Sequence, residues 1–217
     1  MIDIKQQEDM FLAIGNILKR KIGIYAIGGT AMMLRGLKNS TLDVDLVFDK
    51  KTDREEFMDA LRKLGAKESD ATLVYGLRNN TPLMLTLNNC RFDLFMNKII
   101  TSNFSDSMKE RSKSIHEFSN LIIKVASPSD ILIMKSVTSR DKDNDDIIAI
   151  INKTKLDWNV VIEEAKEQVK LGNETAILGL GEKLEKLVNS KAISVPQEVS
   201  DKLWDLFTKQ VKNKSKK

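Results

Sequence analysis

The sequence predicts a mixed α+β fold: a short mixed sheet flanked by helices, followed by a helical C-terminal region. Three observations carry that prediction. The run "TLDVDLVF" at 41–48 alternates apolar and polar residues with period two, the mark of a half-buried strand. Up to about Ser127, strand-like runs of this kind are interspersed with helical stripes, whereas every later apolar pattern is helical. A glycine pair, Gly28-Gly29, stands where a buried run stops and a helical pattern starts.

Taken in order, Met10, Phe11, Ile14, Ile17 and Leu18 recur at helical spacing, so a helix is expected over 6–21. "IGIYAI" reads as a short buried strand ended by the glycines, with a helix over 30–37 behind them. In 41–48, Leu42, Val44 and Leu46 share one face of a strand and Asp43 and Asp45 the other. "KTDREEFMDALRKLGA" reads as a helix capped by Thr52 or Asp53, with Phe57, Leu61 and Leu64 on one stripe and Gly65 at its end. "ATLVYGL", "TPLMLTL" and "CRFDLFM" read as three strands separated by turn-forming asparagines. "SDSMKERSKSI" follows as a helix and "LIIKVA" as a last strand, and Pro128 and Pro196 suit the first turns of later helices. The expected organisation is a domain over 1–126, a helical domain over 127–210 and a basic disordered tail over 211–217.

Bulk properties narrow the chemistry. No apolar run approaches the roughly 20 residues that span a bilayer. The opening "MIDIKQQEDMFLAIG" lacks the basic region and apolar run of a secretory signal, so a cytoplasmic protein with no membrane partner is expected. Cys90 and His116 are the only residues of their types. Intrachain disulfides are excluded, and Cys/His zinc sites and histidine triads nearly so. A metal here would be held by oxygen ligands, which favours magnesium or manganese. The net charge of +4 is local: the last nine residues hold five lysines and no acid, leaving the rest at −1. A nearly neutral body with a basic tail offers only non-specific attraction to a polyanion.

The carboxylates are the sharper signal. Residues i and i+2 of a strand point to one face, which sets Asp43 and Asp45 side by side, about 6–7 Å apart at Cα. Two such acids repel unless a cation neutralises them. A shared magnesium site resolves this, and "CRFDLFM" supplies Asp93 as a third ligand from another strand. Gly28-Gly29 at a strand-to-helix turn would present backbone N–H groups to an anion, and Thr30 would add a hydroxyl. Neither a P-loop nor a G-x-G-x-x-G signature is present. Arg91 and Lys98 read as surface cations, with neutralisation of a phosphate as the alternative, and Tyr75 and Phe48 as core, with stacking on a base as the alternative; His116 reads as a surface helix residue and Cys90 as chemically silent.

The order "GGTA", "LDVDLVF" and a distant "FDLF" resembles the nucleotidyltransferase superfamily with the polymerase-beta-like fold. "KSVTSRDKDNDDIIAII" is similar to the K…R-x-K-D-x-x-D-I stretch of minimal nucleotidyltransferases, a group that includes type IV toxin–antitoxin and abortive-infection toxins. The resemblance spans about residues 20 to 155. It implies that Gly28 and Gly29 contact nucleotide phosphates, that Asp43 and Asp45 bind metal, and that Asp93 is the third catalytic carboxylate. It further implies that Lys135 faces the phosphates, that Lys142 and Asp143 form the lysine-aspartate pair, and that Asp146 is the last aspartate. Arg140 stands nearer that pair than the pattern has it. The activity implied is Mg2+- or Mn2+-dependent transfer of NMP from an NTP to an acceptor hydroxyl, with tRNA or a protein as acceptor and a cognate antitoxin as partner. Two rivals stay open: an antibiotic-type small-molecule nucleotidyltransferase, and an inactive nucleotidyltransferase-like protein-interaction module.

Overall fold

The computed structural model describes residues 1–138, 140 and 142–214, without the side chains of Lys142 and Lys214. Contacts divide the chain into two units, one over Met1–Ser127 and one beginning at Pro128. The first runs β1 (Ile2–Asp3), α1 (Ile4–Ile17), β2 (Ile22–Ala26), α2 (Gly28–Leu34), β3 (Ser40–Thr41), β4 (Asp43–Phe48), α3 (Lys51–Lys63), β5 (Lys67–Ser69) and α4 (Thr72–Tyr75). It continues with β6 (Leu83–Leu87), β7 (Cys90–Met96), β8 (Lys98–Ile99), β9 (Ser102–Asn103), α5 (Asp106–Arg111), β10 (Ser114–Phe118) and β11 (Leu121–Val125). The second is helical: α6 (Pro128–Ser136), α7 (Lys142–Lys153), α8 (Trp158–Lys170), α9 (Ala176–Asn189) and α10 (Gln197–Lys214).

The first unit is built on a seven-stranded mixed sheet in the order β10-β11-β2-β4-β7-β6-β5. β4 lies at its centre, antiparallel to β2 and parallel to β7. Its even-numbered residues Val44, Leu46 and Phe48 are fully buried. Phe48 meets Phe57 of α3 at 5.4 Å between ring centroids, and Phe57 meets Phe92 of β7 at 6.4 Å. Helix α3 therefore covers the even face, and strand pleating sends Asp43 and Asp45 to the opposite one. Truncating Phe57 would remove the ring that ties helix to sheet, a change of about 3–5 kcal/mol for a buried aromatic. Local signals close the ends: Asp3 and Gln6 make a reciprocal capping box on α1, and Asp157 accepts from two backbone N–H groups at the start of α8.

Several elements depart from their sequence reading. "ATLVYGL" is not a strand. Asp70 accepts from the Thr72 N–H and hydroxyl at 2.8 Å each, which turns the chain into α4, and Gly76 ends that turn with φ +63°. Leu73 and Leu77 are left in solvent, so the segment has no buried face to pair as a strand. "SDSMKERSKSI" is helical only to Arg111; Ser114–Phe118 forms β10 beside β11, so His116 stands on a strand opposite Ile123. Helix α3 starts at Lys51, and Asp53 in its first turn pairs with Arg20 at 2.6 Å instead of capping. Helix α10 reaches Lys214, four residues into the segment expected as a tail, and residues 215–217 lie outside the described ones.

Candidate active site

The site is assembled where β4 and β7 run side by side. Their parallel register sets Asp43 opposite Arg91 and Asp45 opposite Asp93. All four belong to the odd face, away from α3. One carboxylate oxygen from each of Asp43, Asp45 and Asp93 lies within 4.8 Å of the other two. The structure thus brings together the three acids that alternation and spacing single out. Asp93 is completely buried, while Asp43 keeps 16% of its side chain in contact with solvent. The donors are hard oxygens, with no sulfur or imidazole among them, and they fit a divalent cation of the magnesium or manganese type.

The glycine turn packs directly on one of these acids, Asp45. Gly28 has φ +54°, and a Cβ there would lie 2.6 Å from Asp45 Oδ2. A Cβ on Gly29 would lie 2.5 Å from Thr41 Oγ1. A Cβ at either position would force its neighbour to shift, so the pair lets the start of α2 lie against Asp45 of β4 and Thr41 of β3. Thr30, expected to add a hydroxyl donor at the turn, engages β4. It is fully buried, and its hydroxyl accepts from the Asp45 N–H at 2.8 Å. The physical reason is that β4 needs a partner for that N–H next to the turn, so Thr30 acts on the site by placing Asp45.

Two further side chains contact the acids, in places other than the sequence reading gave them. Arg91 is bound to the acids: Nε and Nη2 donate to the two oxygens of Asp93, each at 2.8 Å, and Nη2 also donates to Asp43 Oδ2. Tyr75 Oη donates to Asp93 Oδ2 at 2.5 Å. Arg91 had a legible signal, since it shares the parity of Asp93 on an alternating strand. Tyr75 had none, because its segment reads as a strand and its contact arises only from the fold. Burial pushes the Asp93 carboxyl above its usual range, against the lowering pull of Arg91 and Tyr75. Burial, followed by the charges of Asp93 and Asp45, drives the Tyr75 hydroxyl upward. Burial works against the Arg91 guanidinium, but its bonds and attraction to Asp93 prevail and hold it above its ordinary value. Burial also pushes the Cys90 thiol up to about 12, in keeping with a chemically silent residue.

The remaining sequence-selected residues lie in the helical unit. Lys135 on α6 is buried, with Nζ 3.0 Å from Asp143 Oδ1 and 2.6 Å from Asp146 Oδ2. Asp143 also accepts from Arg140 Nε at 2.9 Å and from the Thr138 hydroxyl. α6 ends at Ser136 and α7 starts at Lys142, so Lys135 and Lys142 do not share a helix face. Lys142 opens α7, and its side chain lies outside the described residues.

An acidic triad on parallel neighbouring strands of a mixed sheet, packed against a Gly-Gly turn, is a nucleotidyltransferase-like site on a nucleotidyltransferase-like fold. The chain belongs to the family described as nucleotidyltransferase of unknown function (DUF6036), whose model matches residues 8–177. Among solved structures, it is similar to ANT(2")-Ia in complex with adenylyl-2"-tobramycin at 12% identity. That match covers 83% of this chain and 98% of the other, with a TM-score of 0.43. It is also similar to an antigenic nucleotidyltransferase-like protein from Paracoccidioides brasiliensis at 17% identity, covering 91% and 98% of the two chains, with a TM-score of 0.46. No curated protein matches the chain. Among the described residues, no helix is long and apolar enough to cross a membrane.

Proposed function

We propose that the protein is a divalent-cation-dependent nucleotidyltransferase that moves NMP from an NTP to an acceptor hydroxyl on RNA or protein, acting in the cytoplasm. The observation that carries this reading is the convergence of Asp43, Asp45 and Asp93 oxygens within 4.8 Å in a chain of this family. The all-oxygen triad would hold Mg2+ or Mn2+, which when bound supplies Lewis-acid polarisation of the phosphate oxygens. Asp43 and Asp45 orient the triphosphate end of the substrate from one strand, and the Gly28-Gly29 turn lets it approach β4 without a side chain intervening. Asp93 polarises the acceptor hydroxyl as a general base. The acceptor oxygen bonds to the α-phosphorus, the bond from that phosphorus to the α–β bridging oxygen breaks, and pyrophosphate leaves. The hydroxyl proton passes to the carboxylate. Positioning and charge compensation carry the rate, with no covalent enzyme intermediate. The choice of RNA or protein as acceptor, and of an antitoxin as partner, rests on the resemblance of the Lys135–Asp146 segment to toxin-like enzymes.

The test supplies Mg2+ or Mn2+ and each α-labelled NTP together with total RNA, the protein itself or small hydroxylated acceptors. Label is expected on RNA or protein and should fall at least about a hundredfold in Asp43→Asn or Asp45→Asn. Label on a small acceptor alone would replace the acceptor part of the reading. No transfer to any acceptor, together with no cation-dependent NTP binding, would overturn the enzymatic reading.

A further inference from the structure

The acidic site already contains a cation of its own. Arg91 lies two residues before Asp93 on β7, so both side chains leave the same face, and the register puts Arg91 directly beside Asp43. Its fork engages both oxygens of Asp93, and Nη2 reaches across to Asp43 Oδ2. Tyr75 closes the arrangement from α4: its hydroxyl donates to Asp93 Oδ2, and its ring centroid lies 5.9 Å from the guanidinium carbon of Arg91. Each oxygen of the buried Asp93 therefore receives a donor from this chain, and Asp93 and Asp43 are two of the three acids that converge as a cation site.

We propose that Arg91 is a resident counter-ion of the acidic site, held by Tyr75, which competes with the divalent cation for Asp43 and Asp93 and gives them up as the cation binds. This rests on the cation-dependent reading above. Three gathered carboxylates, one of them buried, repel each other strongly unless a positive charge sits among them. Arginine suits that role because its planar fork matches a carboxylate bidentately and it never loses its charge. The same strength makes it a competitor. A guanidinium and a divalent cation a few ångströms apart repel, and ligation by Asp93 must displace charge-assisted hydrogen bonds that already occupy it. Arg91 thus offsets part of the negative charge of the metal-free site and sets a threshold for loading it.

The experiment is a calorimetric titration of the full chain with Mn2+, without nucleotide, for the natural sequence, Arg91→Met, Tyr75→Phe and Asp43→Asn. Arg91→Met should bind Mn2+ about tenfold more tightly and Tyr75→Phe about threefold more tightly. Asp43→Asn should bind it more weakly. In a parallel Mg2+ titration followed by nitrogen-edited NMR, the Arg91 Nε–H resonance of the natural protein should move as the site fills, a response that a merely structural arginine would not give. Unchanged or weaker Mn2+ binding in folded Arg91→Met and Tyr75→Phe, with a stationary Nε–H resonance, overturns the proposal while leaving the cation site standing. Absence of Mn2+ binding in every protein overturns the cation-dependent reading, and this proposal with it. Should Arg91→Met fail to fold, Tyr75→Phe and the resonance carry the test.

Discussion

The two units each hold a cluster of aspartates tied to a basic side chain, and the clusters are built for different ends. On the sheet, three acids converge around one guanidinium, and Asp43 and Arg91 remain partly open to solvent. In the helical unit, Asp143 and Asp146 are buried with Lys135 between them, and Arg140 adds a second cation at Asp143. The first cluster has more negative charge than the contacts of Arg91 balance and a face through which a cation can enter. In the second, Asp143, Asp146 and Lys135 are paired with one another away from water, while Arg140 stays half exposed. Residue type is the same in both; the pairing of charges and the access to water differ, and that difference is the ground for expecting the sheet cluster to take a cation.

That contrast can be broken most severely at Lys135. Lys135→Met leaves two buried carboxylates without their shared partner and should cost about 3–5 kcal/mol, read from urea unfolding. Mn2+ should not restore the loss, whereas it should restore stability lost in Arg91→Met, because only the sheet cluster takes a cation. Restoration in both, or in neither, would erase the distinction. Gly28→Ala comes next. The new Cβ meets Asp45 Oδ2 in a left-handed backbone, so a loss of roughly 1–2 kcal/mol is expected, together with weaker Mn2+ binding.

The mildest test is acid. Burial acts to raise the Asp143 carboxyl, but the Lys135 charge, the Thr138 hydroxyl and Arg140 outweigh it and hold it below the usual carboxylate range. A depressed folded value means the group stabilises the fold above its unfolded pKa of about 3.9 and that this contribution fades as pH falls through the folded value. Melting temperature measured from pH 6 to pH 3 should drop at the acid end, and Asp143→Asn should flatten that drop. An unchanged acid slope in the variant would show that Asp143 does not carry it.

Much of this was legible in one dimension. Alternation in 41–48 and in "CRFDLFM" reveals strand parity, and parity alone puts Asp43 and Asp45 on one face and gives Asp93 apolar neighbours. The Gly-Gly pair between a buried run and a helical stripe marks a close approach. Where the reading failed, local pattern and local chemistry disagreed: Asp70 and Gly76 turn an apolar segment into a short helix with exposed leucines, and β10 takes residues that looked like the end of a helix.

The sequence by itself determined which residues share a face, since backbone pleating and helical pitch are properties of neighbours along the chain. Only the tertiary structure decided which faces meet. That β4 lies parallel to β7 with Asp45 opposite Asp93 depends on pairing residues 48 apart. So does the choice of Arg91 as the partner of Asp43, a side chain that reads as a surface cation until the strands are brought together. Likewise, Thr30 turns inward to place Asp45, and Lys135 finds two acids across a helix break. Electrostatic partners are set by distance in space, and a one-dimensional pattern carries the parity of a strand but not the identity of its neighbour.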